Sequence, residues 1–272
     1  MVDRNLKVRD HYSVEHLTAK LKSALAAIAP EEEKLTVTQL APFDQFHTRG
    51  ILATTELGEA AGLTSSTRVL DLGCGIGGPA RYLAATFGCH VTGLDLSVSF
   101  LETAEYLTAR CGLSEHVAFQ VGDALSLPFA DASFDAVFLQ HVAMNVKDRP
   151  ALYREVNRIL TIGGRFVTYD LVLKSGDIVY PVPWARTPET SFLLSEEETR
   201  KAVVQAGFNE AFWRDDTQSA LRWFKTAAVG LPPNGLNLGL IMGPEYRAMI
   251  GNLARNIEEN RIGVLSAVLI RE

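Results

Sequence analysis

The sequence predicts an α/β fold, a doubly wound, seven-stranded and mostly parallel sheet, on three observations. From residue 66 onward, short β-branched runs alternate with longer segments of helical periodicity, as a parallel sheet with crossover helices requires. The first run leads directly into a glycine-rich turn, DLGCGIGGPA at 71–80. The next two close on acidic residues, Asp95 and Asp123, at the strand ends where open sheets bind ligands.

The elements follow in order. TRVLDLG (67–73) is a buried strand, and after the glycines Ala80, Leu83 and Ala84 stand at helical spacing. HVTGLDL (90–96) is the second strand, and Ser97 is a good N-cap for the helix behind it. VAFQVGDA (117–124) and FDAVFLQHV (134–142) are the third and fourth, and GGRFVTYDLVL (163–173) is the fifth, after a helix expected to end at Gly163. Ser195 with Glu198 forms a capping box that opens a helix up to Gly207, and 210–216 and 261–272 supply the last two strands. Residues 66–272 therefore read as one core. Residues 1–65 read as a helical N-terminal lid segment, with Val14, Leu17, Leu21, Leu25 and Ile28 on one helix face. Two long connections, near 174–194 and 217–260, read as cap insertions, since connections of this length are often lids or binding loops.

Composition narrows the function. A net charge of −6 argues against a polyanion partner, because binding a phosphate backbone needs clustered Lys and Arg, so nucleic acid is not expected. The N-terminus is charged from its third residue, and no run approaches the roughly 20 apolar residues that span a bilayer. Cys74, Cys89 and Cys111 are odd in number and lack the paired spacing of zinc or redox sites, so no metal is expected. The expectation is a soluble, cytoplasmic protein with a small-molecule substrate and no membrane; oligomeric state is left open.

The glycine turn fits two loops. Read from Gly73 it spells the GxGxxG of a dinucleotide site (Gly73, Gly75, Gly78); read from Asp71 it spells the acidic turn of an S-adenosyl-L-methionine site. Asp71 decides between them. Pyrophosphate at a helix N-terminus would be repelled by a carboxylate, whereas the ammonium and sulfonium of the methyl donor would be attracted by it. Asp95, about twenty residues beyond the glycines, suits a ribose, and Asp123 beside Ala124 suits an adenine amino group.

The run VLDLGCGIGGPARYLA, then VTGLDLS, GDALSLPFADASFDAVFLQHVAMNVKD, resembles the class I S-adenosylmethionine-dependent methyltransferases over about residues 66–172. Within them, APFDQFHTRG, QHVAMN and PVPWA with TSFL are similar to the sarcosine/dimethylglycine N-methyltransferase branch. The resemblance implies the Rossmann-like methyltransferase fold, with Asp71, Gly73 and Gly75 at the methionine end, Asp95 and Leu96 at the ribose, Asp123 and Ala124 at the adenine, and Gln140 lining the strand end. It also implies a lid that brings Phe43, Gln45, His47 and Gly50 near the donor. The chain has QHVA where base and glutamine-amide methyltransferases carry an Asn/Asp-Pro-Pro-aromatic tetrapeptide, which disfavours those acceptors.

His141, following the fourth strand, and His47 are the candidate bases, because an amine or hydroxyl acceptor must lose a proton and imidazole titrates near neutrality. Asp170 is a further candidate base or turn cap. Phe43, Phe46, Tyr180 and Trp184 lie in the two candidate lids, where aromatic faces would hold a methylated cation, or simply pack the loops. Arg186 and Arg49 could pair with a substrate carboxylate or stay solvated. Trp213, Trp223 and Phe224 are expected to pack the last helices onto the sheet. The expected reaction is methyl transfer to a small molecule, first of all an amine nitrogen of the glycine, sarcosine or dimethylglycine kind. The alternatives are an oxygen or carbon of a small natural product or quinol and, more distantly, a nicotinamide-dependent oxidoreductase. A binding protein that keeps the donor pocket for regulation also remains open.

Overall fold

The structure, a computed structural model, describes residues 17–26, 29–230 and 237–272, the side chains of 227–230 excepted. Strands β1 (Arg68–Leu72), β2 (His90–Asp95), β3 (Val117–Val121), β4 (Phe134–Gln140), β5 (Leu160–Leu173), β6 (Phe208–Asp215) and β7 (Ile262–Arg271) form one sheet in the order β3-β2-β1-β4-β5-β7-β6. The first five pair in parallel, and β7 runs antiparallel to both of its neighbours. Strand order reverses between β1 and β4, the switch point at which open α/β sheets leave a crevice beyond their carboxyl ends.

Among the described residues, three helices precede the sheet: α1 (Leu17–Ala26), α2 (Val37–Asp44) and α3 (Ile51–Ala60). Crossover helices α4 (Gly78–Phe87), α5 (Val98–Cys111), α6 (Arg149–Ile159) and α7 (Glu196–Gln205) flank it, and α8 (Thr217–Gly230), α9 (Gly239–Met242) and α10 (Tyr246–Glu258) fill the connection between β6 and β7. None of the described helices is long and apolar enough to cross a membrane.

Local chemistry sets the element ends. Ser97 caps α5 by accepting from Phe100 N, and Ser195 and Glu198 exchange the reciprocal bonds of a capping box at α7. The expected α1 face is buried at Leu17, Leu21 and Leu25; Val14 and Ile28 lie outside the described residues. One boundary differs from the sequence reading. The helix α6 ends at Ile159, and β5 starts at Leu160 rather than after Gly163. Gly163 has φ +74°, and the pairing register with β4 shifts between Phe134 and Ala136, so the two glycines make a bulge inside the strand.

One buried ion pair fastens the N-terminal helices to the sheet. Arg81 of α4 donates from Nη2 to Asp44 Oδ2 at 2.9 Å, both side chains being essentially inaccessible, and from Nη1 to Ala104 O and Thr108 Oγ1. Gln45 Nε2 donates to the other Asp44 oxygen at 3.1 Å. Gly78 makes the approach possible, since a Cβ there would meet Asp44 O at 2.0 Å. Removing one member of a buried pair leaves an uncompensated charge. Arg81→Met is expected to cost about 3–5 kcal/mol in urea denaturation, against about 0–1 kcal/mol for Arg68→Ala, whose pair with Asp135 is half exposed. Equal losses in the two variants would show that the buried pair does not hold the segment.

Candidate functional site

A cavity of about 940 Å³ opens at the switch point between β1 and β4. Its floor is made of strand ends and the turns behind them: Asp71 to Gly75, Leu94 to Ser97, Gly122 to Leu125 and Gln140 to Val142. Residues from all three non-core segments complete the wall: Gln45 to Thr48 before the sheet, Pro183, Trp184 and Phe192 after β5, and Trp223, Phe224, Met242, Tyr246 and Leu253 from the last insertion.

The turn after β1 is shaped for close approach. Gly73 (φ +76°) and Gly75 (φ +54°) take conformations that side chains disfavour. A Cβ on Gly73 would lie 2.5 Å from Val142 Cγ2, so this glycine also lets the turn after β4 settle against the turn after β1. Asp95 braces the loop, accepting from Gly75 N and Ser97 N at 2.9 Å each. Asp123 Oδ1 accepts from Leu125 N at 2.9 Å. Asp71 is buried, and its Oδ2 has no hydrogen-bond partner. Burial pushes its carboxyl up to about 7; an Ala80 amide opposes this and the neighbouring Asp95 charge adds to it. Burial likewise raises Asp95 above the usual carboxylate range, against the amides of Ser97, Gly75 and Leu96.

A polar cluster lies where the end of β4 meets the segment after Asp44. His47 donates from Nε2 to Gly50 O at 2.9 Å, close to Thr54 Oγ1 at 3.1 Å. Gln140 Nε2 donates to Thr54 Oγ1 at 3.2 Å, while its Oε1 is buried without a partner. His141 sits at φ +53°, donates its backbone N–H to Tyr169 O at 2.8 Å and stacks on the Tyr169 ring at 5.5 Å. Thr48 Oγ1 donates to Tyr169 OH at 3.1 Å and lies 3.4 Å from His141 Nε2. Burial lowers His47 to about 4 and His141 well below the usual imidazole value, and it lifts the Tyr169 phenol to about 12. Both imidazoles are therefore neutral at pH 7.

Most of the sequence-expected residues meet here. Asp71, Gly73, Gly75, Asp95, Leu96, Asp123, Ala124, Gln140, His141, His47, Phe46 and Trp184 all line the cavity. Phe46 lies above Gly75, and Trp184 is anchored by its indole N–H on Ser191 Oγ and by Asn145, which donates to its carbonyl. Three residues expected at the substrate do not reach it. Phe43 is buried in the apolar cluster of α1, α2 and α5, because it shares their inward face. Tyr180 packs half-buried against the core beneath its loop. Arg186 is half exposed and pairs with Glu245 at 2.8 Å. Arg49 is likewise engaged, by Glu56 and Asp216, and Asp170 is buried outside the cavity, holding Leu171 N. Conversely, Trp223 and Phe224 line the cavity rather than only packing the last helices, whereas Trp213, on β6, packs against α7, bonded to Glu196 and covered by Arg200. Thr48, Tyr169 and Tyr246 carried no local signal. Thr48 and Tyr246 reach the cavity, and Tyr169 backs it by holding Thr48, only through packing between distant segments.

Residues 70–168 match the family described as "Methyltransferase domain". The chain is 36% identical over 117 residues to sterol 24-C-methyltransferase of Eremothecium gossypii, covering 43% of this chain and 31% of that protein. It is 31% identical over 176 residues to phosphoethanolamine N-methyltransferase 1 of Triticum aestivum, covering 64% and 35%. The matched part spans about a third of the length of these two relatives. Among solved structures, geranyl diphosphate C-methyltransferase from Streptomyces coelicolor A3(2) has the same fold, with a TM-score of 0.71 and 17% identity over 100% of this chain and 99% of that one.

The depressed imidazoles have a measurable consequence. His47, at about 4 in the folded chain and 6.5 as its ordinary value, refuses a proton that the unfolded chain accepts, so its contribution to stability falls as pH drops from about 6.5 to about 4. The stability difference between wild type and His47→Gln should shrink over that window by on the order of 3 kcal/mol. The ring resonances of His47 and His141 should stay flat between pH 8 and 6; a midpoint near 6.5 in either would show a hydrated ring.

Proposed function

We propose that the chain, whose residues 70–168 match the methyltransferase-domain family, is a class I S-adenosylmethionine-dependent enzyme that transfers a methyl group to a largely apolar small molecule at oxygen or carbon. The observation that carries the donor half is Asp71: a buried carboxylate with an unpartnered oxygen, on the cavity wall, where the donor's cationic groups would restore what burial costs. Asp95 and Asp123 stand where the ribose and adenine would fall, and Gly73 and Gly75 leave room for the chain to approach the methionine end. Bound there, S-adenosylmethionine supplies an electrophilic methyl group, and its carbon–sulfur pair returns to sulfur as the acceptor forms the new bond.

The acceptor half rests on the remaining wall. Trp184, Trp223, Phe224, Met144, Met242 and Leu253 present apolar faces, and the volume is at the upper end of the ~300–1,000 Å³ of small-molecule pockets, leaving space beyond a single donor. Among the described lining residues the one cationic side chain is Lys147, in the turn after β4. Arg49 and Arg186, the sequence-expected partners for a substrate carboxylate, are held elsewhere, which weighs against glycine-like amines. For a hydroxyl acceptor, His141 is a neutral base at the end of β4, and the wall holds the acceptor in line while excluding water. A bulky apolar amine is the second reading. Trp184, Trp223 and Phe224 favour it, since aromatic faces attract the positive charge that nitrogen gains on methylation.

The deciding experiment measures S-adenosylhomocysteine release with apolar phenols and quinols, unsaturated isoprenoids, bulky amines, and glycine, sarcosine and dimethylglycine. Release with an apolar hydroxyl or alkene acceptor is expected, and release with glycine or sarcosine alone would overturn the acceptor reading. Asp71→Asn should weaken donor binding by roughly 10- to 100-fold, the worth of a charge-assisted contact. Its unfolding midpoint should hold or rise, because the variant no longer buries an ionisable group; unchanged donor affinity would remove Asp71 from the site.

A further inference from the structure

The polar cluster fixes which nitrogen of His141 is free. Thr48 Oγ1 carries a single proton, and that proton goes to Tyr169 OH at 3.1 Å. Toward His141 Nε2, 3.4 Å away, the same oxygen can therefore only accept. The plane of the ring is held beside it: His141 is stacked within 9° of parallel on Tyr169, its backbone N–H is held by Tyr169 O, and the His47 ring stands edge-on at 6.1 Å. His47 Nε2–H is engaged by Gly50 O, so that ring offers no competing donor to Thr48. His141 Nδ1 has no hydrogen-bond partner among the described residues.

We propose that Thr48 is a positioning residue that holds His141 in the Nε2–H tautomer, leaving the Nδ1 lone pair to take the proton of the methyl acceptor. The source of that proton rests on the methyl-transfer reading above. As an acceptor hydroxyl attacks, its oxygen keeps the O–H pair and uses a lone pair for the bond to the methyl carbon. The carbon–sulfur pair goes to sulfur, and the proton goes to Nδ1. The resulting imidazolium carries protons on both nitrogens, one facing Thr48 Oγ1, and returns the Nδ1 proton to water after product leaves. A base presented through the wrong nitrogen would be as buried and as neutral, yet the acceptor would meet an N–H instead of a lone pair.

The test uses the full-length chain labelled with ¹⁵N-histidine, its imidazole tautomers read by long-range ¹H–¹⁵N correlation at pH 7.5. Wild type and Thr48→Ser are expected to show His141 protonated at Nε2. Thr48→Val, of the same shape without the hydroxyl, is expected to show a mixture, with kcat about 3- to 10-fold lower and donor KM unchanged, serine restoring most of the rate. Wild-type His141 protonated at Nδ1 overturns the proposal, and so does a Thr48→Val variant that keeps both the Nε2–H tautomer and the wild-type kcat. The tautomer is read without turnover, so a chain that shows Nε2–H yet transfers no methyl group sinks the functional reading while Thr48 keeps its role. Should Thr48→Val fail to fold, the wild-type spectrum still decides.

Discussion

The contact between Arg81 and Asp44 is what the site depends on, because it ties the end of α2 to the first turns of the helix that follows the glycine loop. Gly78 contributes by absence: any side chain there would strike the Asp44 carbonyl. The pair is costly to bury, since desolvation alone pushes the Asp44 carboxyl up and the guanidinium draws it back only in part. What the cost secures is position. The four residues after Asp44, Gln45 to Thr48, form one cavity wall, with Phe46 over Gly75 and His47 and Thr48 beside β4. A second tie lies on their far side, where Arg49 bonds Glu56 and Asp216, and Asp216 also takes Arg214 and Ser266 from the antiparallel edge. The segment is thus stretched between two charged anchors with the polar cluster between them.

Burial acts in one direction on both walls: it favours the neutral form of every ionisable group it touches. Beside the glycine turn this works against Asp71 and Asp95, the charge of the second adding to the rise of the first, and a bound cation would relieve them. Around the polar cluster it keeps His47 and His141 neutral, which also makes them weaker proton acceptors. The same low dielectric therefore leaves one wall short of positive charge and the other stripped of it.

Much of the fold and of the glycine-turn side of the cavity was legible in the sequence because their signals are local. A strand, a glycine turn and an acid two residues before the first glycine are set by spacing alone, as are Asp95 at the next strand end and the caps Ser97 and Ser195. The polar cluster is assembled from segments 86 to 121 residues apart, and the rest of the wall from later insertions, and there local signals failed. Phe43 and Phe46 sit three apart in one segment; helix packing turns the first into the core, while the chain beyond Asp44 leaves the second over the glycine turn. Arg186 was free by sequence and is claimed by Glu245, 59 residues away. Trp223 and Phe224 read as packing residues because nothing nearby shows that α8 covers the crevice. Gly163 has the signature of a helix cap, and the pairing of β5 with β4 made it a bulge instead.

The claim that the cavity receives a cationic donor against Asp71 is tested most directly by calorimetric titration with S-adenosylmethionine at pH 7 in two buffers of different ionisation enthalpy. Asp71 titrates near 7 in the free protein and should be held fully ionised beneath the donor, so binding is expected to release roughly half a proton and to weaken as pH falls below 7. Binding with no proton release and no dependence on pH between 6 and 8 would contradict it.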